Sequence, residues 1–191
     1  MNLTEKEIEE GVATIRRSPA DEGVLDLIVR RPRVGEREIL DEGDLDCVSG
    51  LVGDNWKDRR SSRTPDGSPH PDTQLTVMNS RVIALLAGDK ERWGLAGDQL
   101  FVDLDLSAAN VPAGTRLALG SAVIEVSAEP HTGCQNFVTR FGLDATRFVN
   151  SARGRQLQLR GVNAKVVQGG RIRVGDVVQK VAPGGLKPRR L

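Results

Sequence analysis

Cysteine and histidine are nearly missing from this chain of 191 residues, which holds two of each. Cys47 and Cys134 lie far apart and form no C-x-x-C pair, so no disulfide framework can be read. Four thiol and imidazole donors, the usual requirement of a zinc site, are not gathered anywhere in the sequence. This cysteine usage points to a reducing, cytoplasmic compartment. Charge of one sign is also lacking: 27 basic residues face 26 acidic ones. The global balance therefore argues against nucleic acid as a partner. Long apolar runs are absent too. The longest, VIALLA (82–87), is far too short to span a membrane, and the acidic start MNLTEKEIEE does not read as a secretory leader. There is no P-loop, no Gly-x-Gly-x-x-Gly following a strand and no nucleophile elbow.

What is present suits one hydrophobic core with appendages. Residues 4–17 read as a short amphipathic helix. Thr4 and Glu7 fit a capping box, Leu3 and Ile8 fit the hydrophobic staple, and Ile8, Val12 and Ile15 follow at helical spacing. Residues 1–22 are expected to be an N-terminal helical appendage, 23–181 a β domain, and 182–191 a frayed tail. From Val24 the pattern becomes β-rich. Strands are expected at 24–31, 74–78, on both sides of Gly120-Ser121 within 114–128, over the alternating stretch 155–167, and at 171–174 and 177–181. Many short strands with Gly-rich turns favour a sandwich or a barrel, and closure removes the open edges that such strands create. Two helices interrupt them: 80–88, capped by Asn79 or Ser80 and stopped by Gly88, and 135–142, stopped by Gly142. Residues 57–73, KDRRSSRTPDGSPHPDT, form a long polar loop of the kind that is either a functional lid or simply mobile.

The segment EPHTGCQNFVTRFG (129–142) holds one of the two cysteines and one of the two histidines. Pro130 breaks the preceding strand and Gly133 lets the chain turn, which places Cys134 at the start of the following helix. Free amide donors and the helix dipole there favour a thiolate, the form that ligates a soft metal or carries sulfur. A buried, inert cysteine is the alternative. His131 and Thr132 are near enough to donate hydrogen bonds. A Cys134–His131 hydrolase is poorly supported, because such pairs usually meet from distant segments. Arginine outnumbers lysine 21 to 6. The clusters RRPR (30–33) and KDRRSSR (57–63), with Arg140, Arg147, Arg153 and Arg155, could supply the forked contacts that an anionic cofactor's phosphate requires. Individually, most of these arginines read as solvated surface, and Trp56 and Trp93 read as packing residues.

In this order, GLVGDNW (50–56), MNSRVIALL (78–86), GLAGDQLFVDLDLS (94–107), GTRLALGSAVIEVSAEPHTGC (114–134), NFVTRFG and LRGVNAKVVQGGRIRVGDVV (159–178) resemble the MOSC domain family, named for the C-terminal domain of molybdenum-cofactor sulfurases. The resemblance covers about residues 23 to 181. It implies a mainly β fold, a closed barrel of the pyruvate-kinase-barrel kind with a few short helices. It also implies a conserved cysteine that ligates the molybdenum of a pterin cofactor or carries persulfide sulfur, a role that falls on Cys134. Some relatives reduce N-hydroxylated compounds with electrons from separate redox partners. On this resemblance His131 is expected to be a proton donor titrating near neutrality. Asp98 and Gln99 are expected to orient cofactor or substrate, and Thr132, Asn79, Arg81 and Arg140 to bind the pterin's polar groups and phosphate. The family's Gly-Glu-Asn reads Gly97-Asp98-Gln99 here, and Trp56 stands where many relatives place a histidine after the early Gly-Asp. No pyridoxal phosphate is expected, because the sequence holds no desulfurase domain. No ferredoxin-like cysteine set is present, so sulfur or electrons are expected from another protein, acting on a small-molecule substrate.

Overall fold

The structure is a computed structural model that describes residues 2–181. The expected tail, 182–191, lies outside the described residues. The strands are β1 (Gly23–Arg30), β2 (Glu38–Leu40), β3 (Glu42–Asp46), β4 (Gly50–Leu51), β5 (Leu75–Asn79), β6 (Leu100–Asp103), β7 (Arg116–Leu119), β8 (Ala122–Val126), β9 (Val162–Gln168), β10 (Gly170–Arg173) and β11 (Val177–Val181). The α-helices are α1 (Glu5–Ile15), α2 (Ser80–Ala87), α3 (Gln135–Asn150) and α4 (Ala152–Gln156).

Seven strands close a barrel in the order β1, β6, β5, β9, β8, β7, β11, and β11 returns to β1 through Gly23↔Val178 and Val24↔Val177. Closure pairs strand edges that would otherwise invite association. Among the described residues only the β5–β6 pair is parallel; its neighbours in the barrel are antiparallel. β2 adds to β1 outside the closure, and β3, β4 and β10 form a small second sheet.

Side-chain alternation divides the apolar residues into two cores. Leu25, Ile28, Val77, Leu100, Val102, Leu117 and Ile124 fill one cluster, which Leu45, Leu51 and Ile172 of the small sheet extend. Leu27, Val29, Met78 and Phe101, on alternate positions of the same strands, join Ile8, Val12, Ile83, Phe137 and Phe141 of the helices in the other. A register shift between Leu25 and Leu27 lets β1 serve both. Each large apolar side chain removed from water in this way contributes about 1.5–3 kcal/mol.

The capping box forms: the Glu7 amide donates to Thr4 Oγ1 and the Thr4 amide to Glu7 Oε2. α1 buries Ile8 and Val12 against the other helices, in the helical layer on the barrel. Two expectations are corrected. Residues 155–160 form the end of α4 and a turn rather than a strand, because Ser151 Oγ accepts from the Gly154 amide and starts a helix there. Gly142 does not stop the second helix. It breaks it with φ 90° and ψ 169°, and a further helical segment follows to Asn150.

Candidate functional site

Three segments meet at one place: the turn at 53–56, the turn at 97–99 and the loop leading to Cys134. Gly97 ends a 3-10 helix (Lys90–Ala96) in the left-handed region, φ 91°, where a side chain would be strained. That reversal points Asp98 and Gln99 inward, and both are fully buried.

Arg31 joins the first two segments. Its Nε and Nη2 each donate to the Asp54 carboxylate at 2.8 Å, and its Nη1 donates to the Gly97 carbonyl at 2.8 Å. Asp54 also accepts from the amides of Arg31 and Trp56. Gln99 is consumed by the scaffold. Its Oε1 accepts from the Thr76 amide at 2.8 Å and the Thr76 hydroxyl at 2.6 Å, and its Nε2 donates to the Gln74 carbonyl at 3.2 Å. The expectation that Gln99 orients a cofactor is therefore corrected: its oxygen and amide are already spent on the barrel.

Asp98 joins the third segment. Its Oδ2 accepts from Arg160 Nη1 at 2.7 Å, while Oδ1 has no hydrogen-bond partner among the described residues and lies 3.5 Å from His131 Nδ1. Arg160 also donates to the Ala96 carbonyl and stacks 4.8 Å from the ring centroid of Phe137, in the first turn of α3. Burial pushes the His131 pKa down to about 3, with the positive charge of Arg160 acting the same way, Asp98 opposing and Arg31 adding a smaller push downward. At neutral pH the imidazole is uncharged. The expected proton donor titrating near neutrality is thus corrected, because a ring enclosed beside two guanidinium groups resists a third positive charge.

Cys134 is the N-cap residue of α3 and is exposed. Its carbonyl accepts from the amides of Phe137 and Val138, and its side chain makes no capping bond. Asn150 holds the preceding Gly133 from both sides, accepting from its amide at 2.9 Å and donating to its carbonyl at 3.1 Å. Thr132 is exposed beside it. Asn79 and Arg81, expected to bind cofactor, do not join this place. Asn79 caps α2 and donates to Ser18 and Leu104. Arg81 is paired in a fork with Asp103, both contacts at 2.8 Å, which raises its pKa. Arg140 does arrive: its Nη1 donates to the Leu95 carbonyl, next to the Gly97 turn.

The polar loop 57–73 walls a cleft of about 250 Å³ lined by Arg31, Trp56, Arg59, Arg60, His70 and Asn163, among others. Arg59 and Arg37 have depressed pKa values. Burial leads in both, followed by Arg140 and then Arg31 for Arg37, and by Arg31 for Arg59. Among the described residues, Arg37, Arg59, Arg60 and Arg140 have no carboxylate within 4 Å to balance them. Arg37 and Arg160 escape sequence reading, because Arg37 stands alone and Arg160 sits in a stretch that looks like a strand. The clusters RRPR and KDRRSSR were the legible signal for Arg31, Arg59 and Arg60. No group of three or more His, Cys, Asp or Glu side chains among the described residues could cage a bare metal ion. No helix among them is long and apolar enough to cross a membrane.

Comparison with known proteins agrees with this architecture. The fold is similar to the crystal structure of a hypothetical protein (TM-score 0.57, 20% identity, covering 89% of this chain and 72% of that one). It is similar to the YuaD protein of Bacillus subtilis (TM-score 0.57, 16% identity, 83% and 94%) and to YiiM of Escherichia coli (TM-score 0.54, 21% identity, 84% and 70%). No curated protein sequence matches. The family model for the MOSC domain matches residues 69–179, more than half of the chain, from the polar loop through Asp98, Cys134 and Arg160 to the closing strand. The chain belongs to the MOSC domain family.

Proposed function

We propose that this protein binds a molybdenum–pterin cofactor through its phosphate in the arginine cleft and works through Cys134, as molybdenum ligand or as carrier of a persulfide. The observation that carries this reading is the unbalanced charge. Arg59 and Arg60 line the cleft, and the nearby Asp54 carboxylate is already neutralised by Arg31. Such an array favours a ligand that brings negative charge. The donor set fits a metal that arrives with most of its ligands: one exposed thiol is on hand, and no protein cage. When bound, the cofactor would supply two-electron redox chemistry at the metal.

The chain's own residues then have distinct tasks. Arg59 and Arg60 would hold phosphate. Cys134 would offer its sulfur from the open start of α3. Neutral His131 would accept or donate a hydrogen bond rather than release a proton. Sulfur or electrons would come from a separate donor protein, in a cytoplasmic setting, and reduction of an N-hydroxylated small molecule is the reaction class the family resemblance favours. The competing reading, a binding module in which Cys134 is only structural, finds no support in the thiol's surroundings: it is exposed and makes no side-chain hydrogen bond.

The test is metal and sulfane-sulfur analysis of protein made in a cofactor-competent host. Molybdenum near one per chain, or sulfur released by cyanide, is expected, and both should disappear in Cys134→Ser. Because the thiol supports nothing in the fold, that variant should keep wild-type stability within about 0.5 kcal/mol. A wild-type protein with neither molybdenum nor sulfane sulfur defeats the proposal.

A further inference from the structure

Two of the unbalanced arginines stand apart from the cleft. Arg37 and Arg140 do not line it. They converge over Gly97 instead. A Cβ on Gly97 would sit 3.8 Å from Arg37 Nη2 and 4.0 Å from Arg140 Nη1, with no other neighbouring atom within 4 Å. Glycine therefore leaves a space under two guanidinium groups. Arg37 donates from Nε to the Gly94 carbonyl and from Nη1 to the Glu36 carbonyl, and Arg140 donates from Nη1 to the Leu95 carbonyl, so Nη2 of each has no hydrogen-bond partner among the described residues.

The space adjoins α3, the helix that Cys134 caps. Arg140 is six residues into the helix that Cys134 caps, about 9 Å along its axis at 1.5 Å per residue. Its guanidinium donates to the Leu95 carbonyl, in the 3-10 helix that ends at Gly97. The next residue of the turn, Asp98, lies 3.5 Å from His131 in the Cys134 loop.

We propose that Arg37 and Arg140 form an oxyanion subsite over Gly97, separate from the cleft that holds the cofactor, and that the substrate handled at Cys134 carries a carboxylate or a phosphate. The assignment to substrate rests on the function proposed above; the existence of the subsite does not. Two guanidinium groups that converge on one gap, each with an unspent Nη2, suit an oxyanion with two or more acceptor oxygens. A neutral substrate would leave the pair's mutual repulsion unrelieved.

The experiment uses full-length protein from a host that cannot make the cofactor. The cleft is first disabled with Arg59→Gln/Arg60→Gln, and inorganic phosphate and acetate are titrated separately at low ionic strength by calorimetry. One anion per chain should still bind, and adding Arg37→Gln/Arg140→Gln should weaken it about tenfold or more. Tighter binding of acetate assigns a carboxylate, and tighter binding of phosphate a phosphate. If the glutamine variant does not fold, Arg37→Lys/Arg140→Lys replaces it: the charges remain but the forks are lost, so affinity should fall part of the way. Binding of neither anion, or no loss of affinity on changing the pair, overturns the subsite. In cofactor-loaded protein, Arg37→Gln/Arg140→Gln should retain wild-type molybdenum; loss of the metal would give the pair to the cofactor and overturn the substrate assignment. Absence of molybdenum from the wild type would instead strike the proposed function and leave the anion titration to be read by itself.

Discussion

Asp54 and Asp98 are both buried carboxylates paired with a buried arginine, and they differ in what is left over. Asp54 has nothing to spare. Its two oxygens accept from Arg31 three times, from the Trp56 amide and, at 3.4 Å, from Gln99. Asp98 spends one oxygen on Arg160 and leaves the other without a partner, facing an equally unpartnered His131 nitrogen. A saturated carboxylate holds segments together; a half-saturated one in a polar site retains capacity for a ligand. Asp98 is the one with capacity.

Breaking the saturated pair should have the largest effect. Asp54→Asn would place an amide against the donors of Arg31, whose charge would remain buried without compensation. A loss of about 3–5 kcal/mol in unfolding free energy is expected, measured by denaturant titration. A loss below about 1 kcal/mol would show that Asp54 is not the structural member of the two.

Asp98→Asn should cost somewhat less, about 2–4 kcal/mol, because buried Arg160 also loses its counter-charge but through one hydrogen bond rather than three. The amide oxygen can still accept from Arg160, and the new NH2 group can donate to the imidazole nitrogen that now has no partner. The same change removes the one nearby charge that raises the His131 pKa, so that pKa should fall further still. Imidazole chemical shifts followed against pH would check it, and a rise on substitution would reverse the electrostatic account.

The contrast between these acids was only partly legible in the sequence. Gly53 and Gly97, each directly before one of these acids, both take positive φ and turn the chain. Strand-rich patterning announced the barrel, and the hairpin at Gly120-Ser121 pairs as its turn signal suggests, with Leu119 opposite Ala122. Patterning could not show that Arg31, 23 positions before Asp54, closes a fork on it, or that Arg160 reaches back 62 positions to Asp98. Such pairs depend on barrel closure, which is long-range and leaves no local periodicity. The short strands β2 and β3 were illegible for a related reason, because acidic, mostly exposed residues carry little hydrophobic alternation, and β4, two residues long, is too short to show any. Alternation misled at Leu157 and Leu159, where a helix end and a turn deliver apolar side chains at spacing two without any strand. Asn79 and Arg81 were expected at the cofactor on the family resemblance, whereas Asn79 caps α2 and Arg81 pairs with Asp103 of β6.

The smallest effect sharpens the comparison by pH. Unfolded His131 takes up a proton near its ordinary value of 6.5, whereas folded His131 does so only near 3. Between those values the unfolded chain binds more protons, so the native state loses stability as pH falls below about 6.5 and stops losing it from this source below about 3. Each pH unit in the window is worth about 1.4 kcal/mol, so roughly 1 kcal/mol should be gone by pH 5.5. His131→Gln cannot take up this proton and should flatten that part of the profile, whereas Cys134→Ser should leave it unchanged. Equal slopes for wild type and His131→Gln between pH 7 and 5 would mean that the imidazole is not held neutral. The oxygen left over on Asp98 would then already be satisfied by an imidazolium, and both buried acids would be structural.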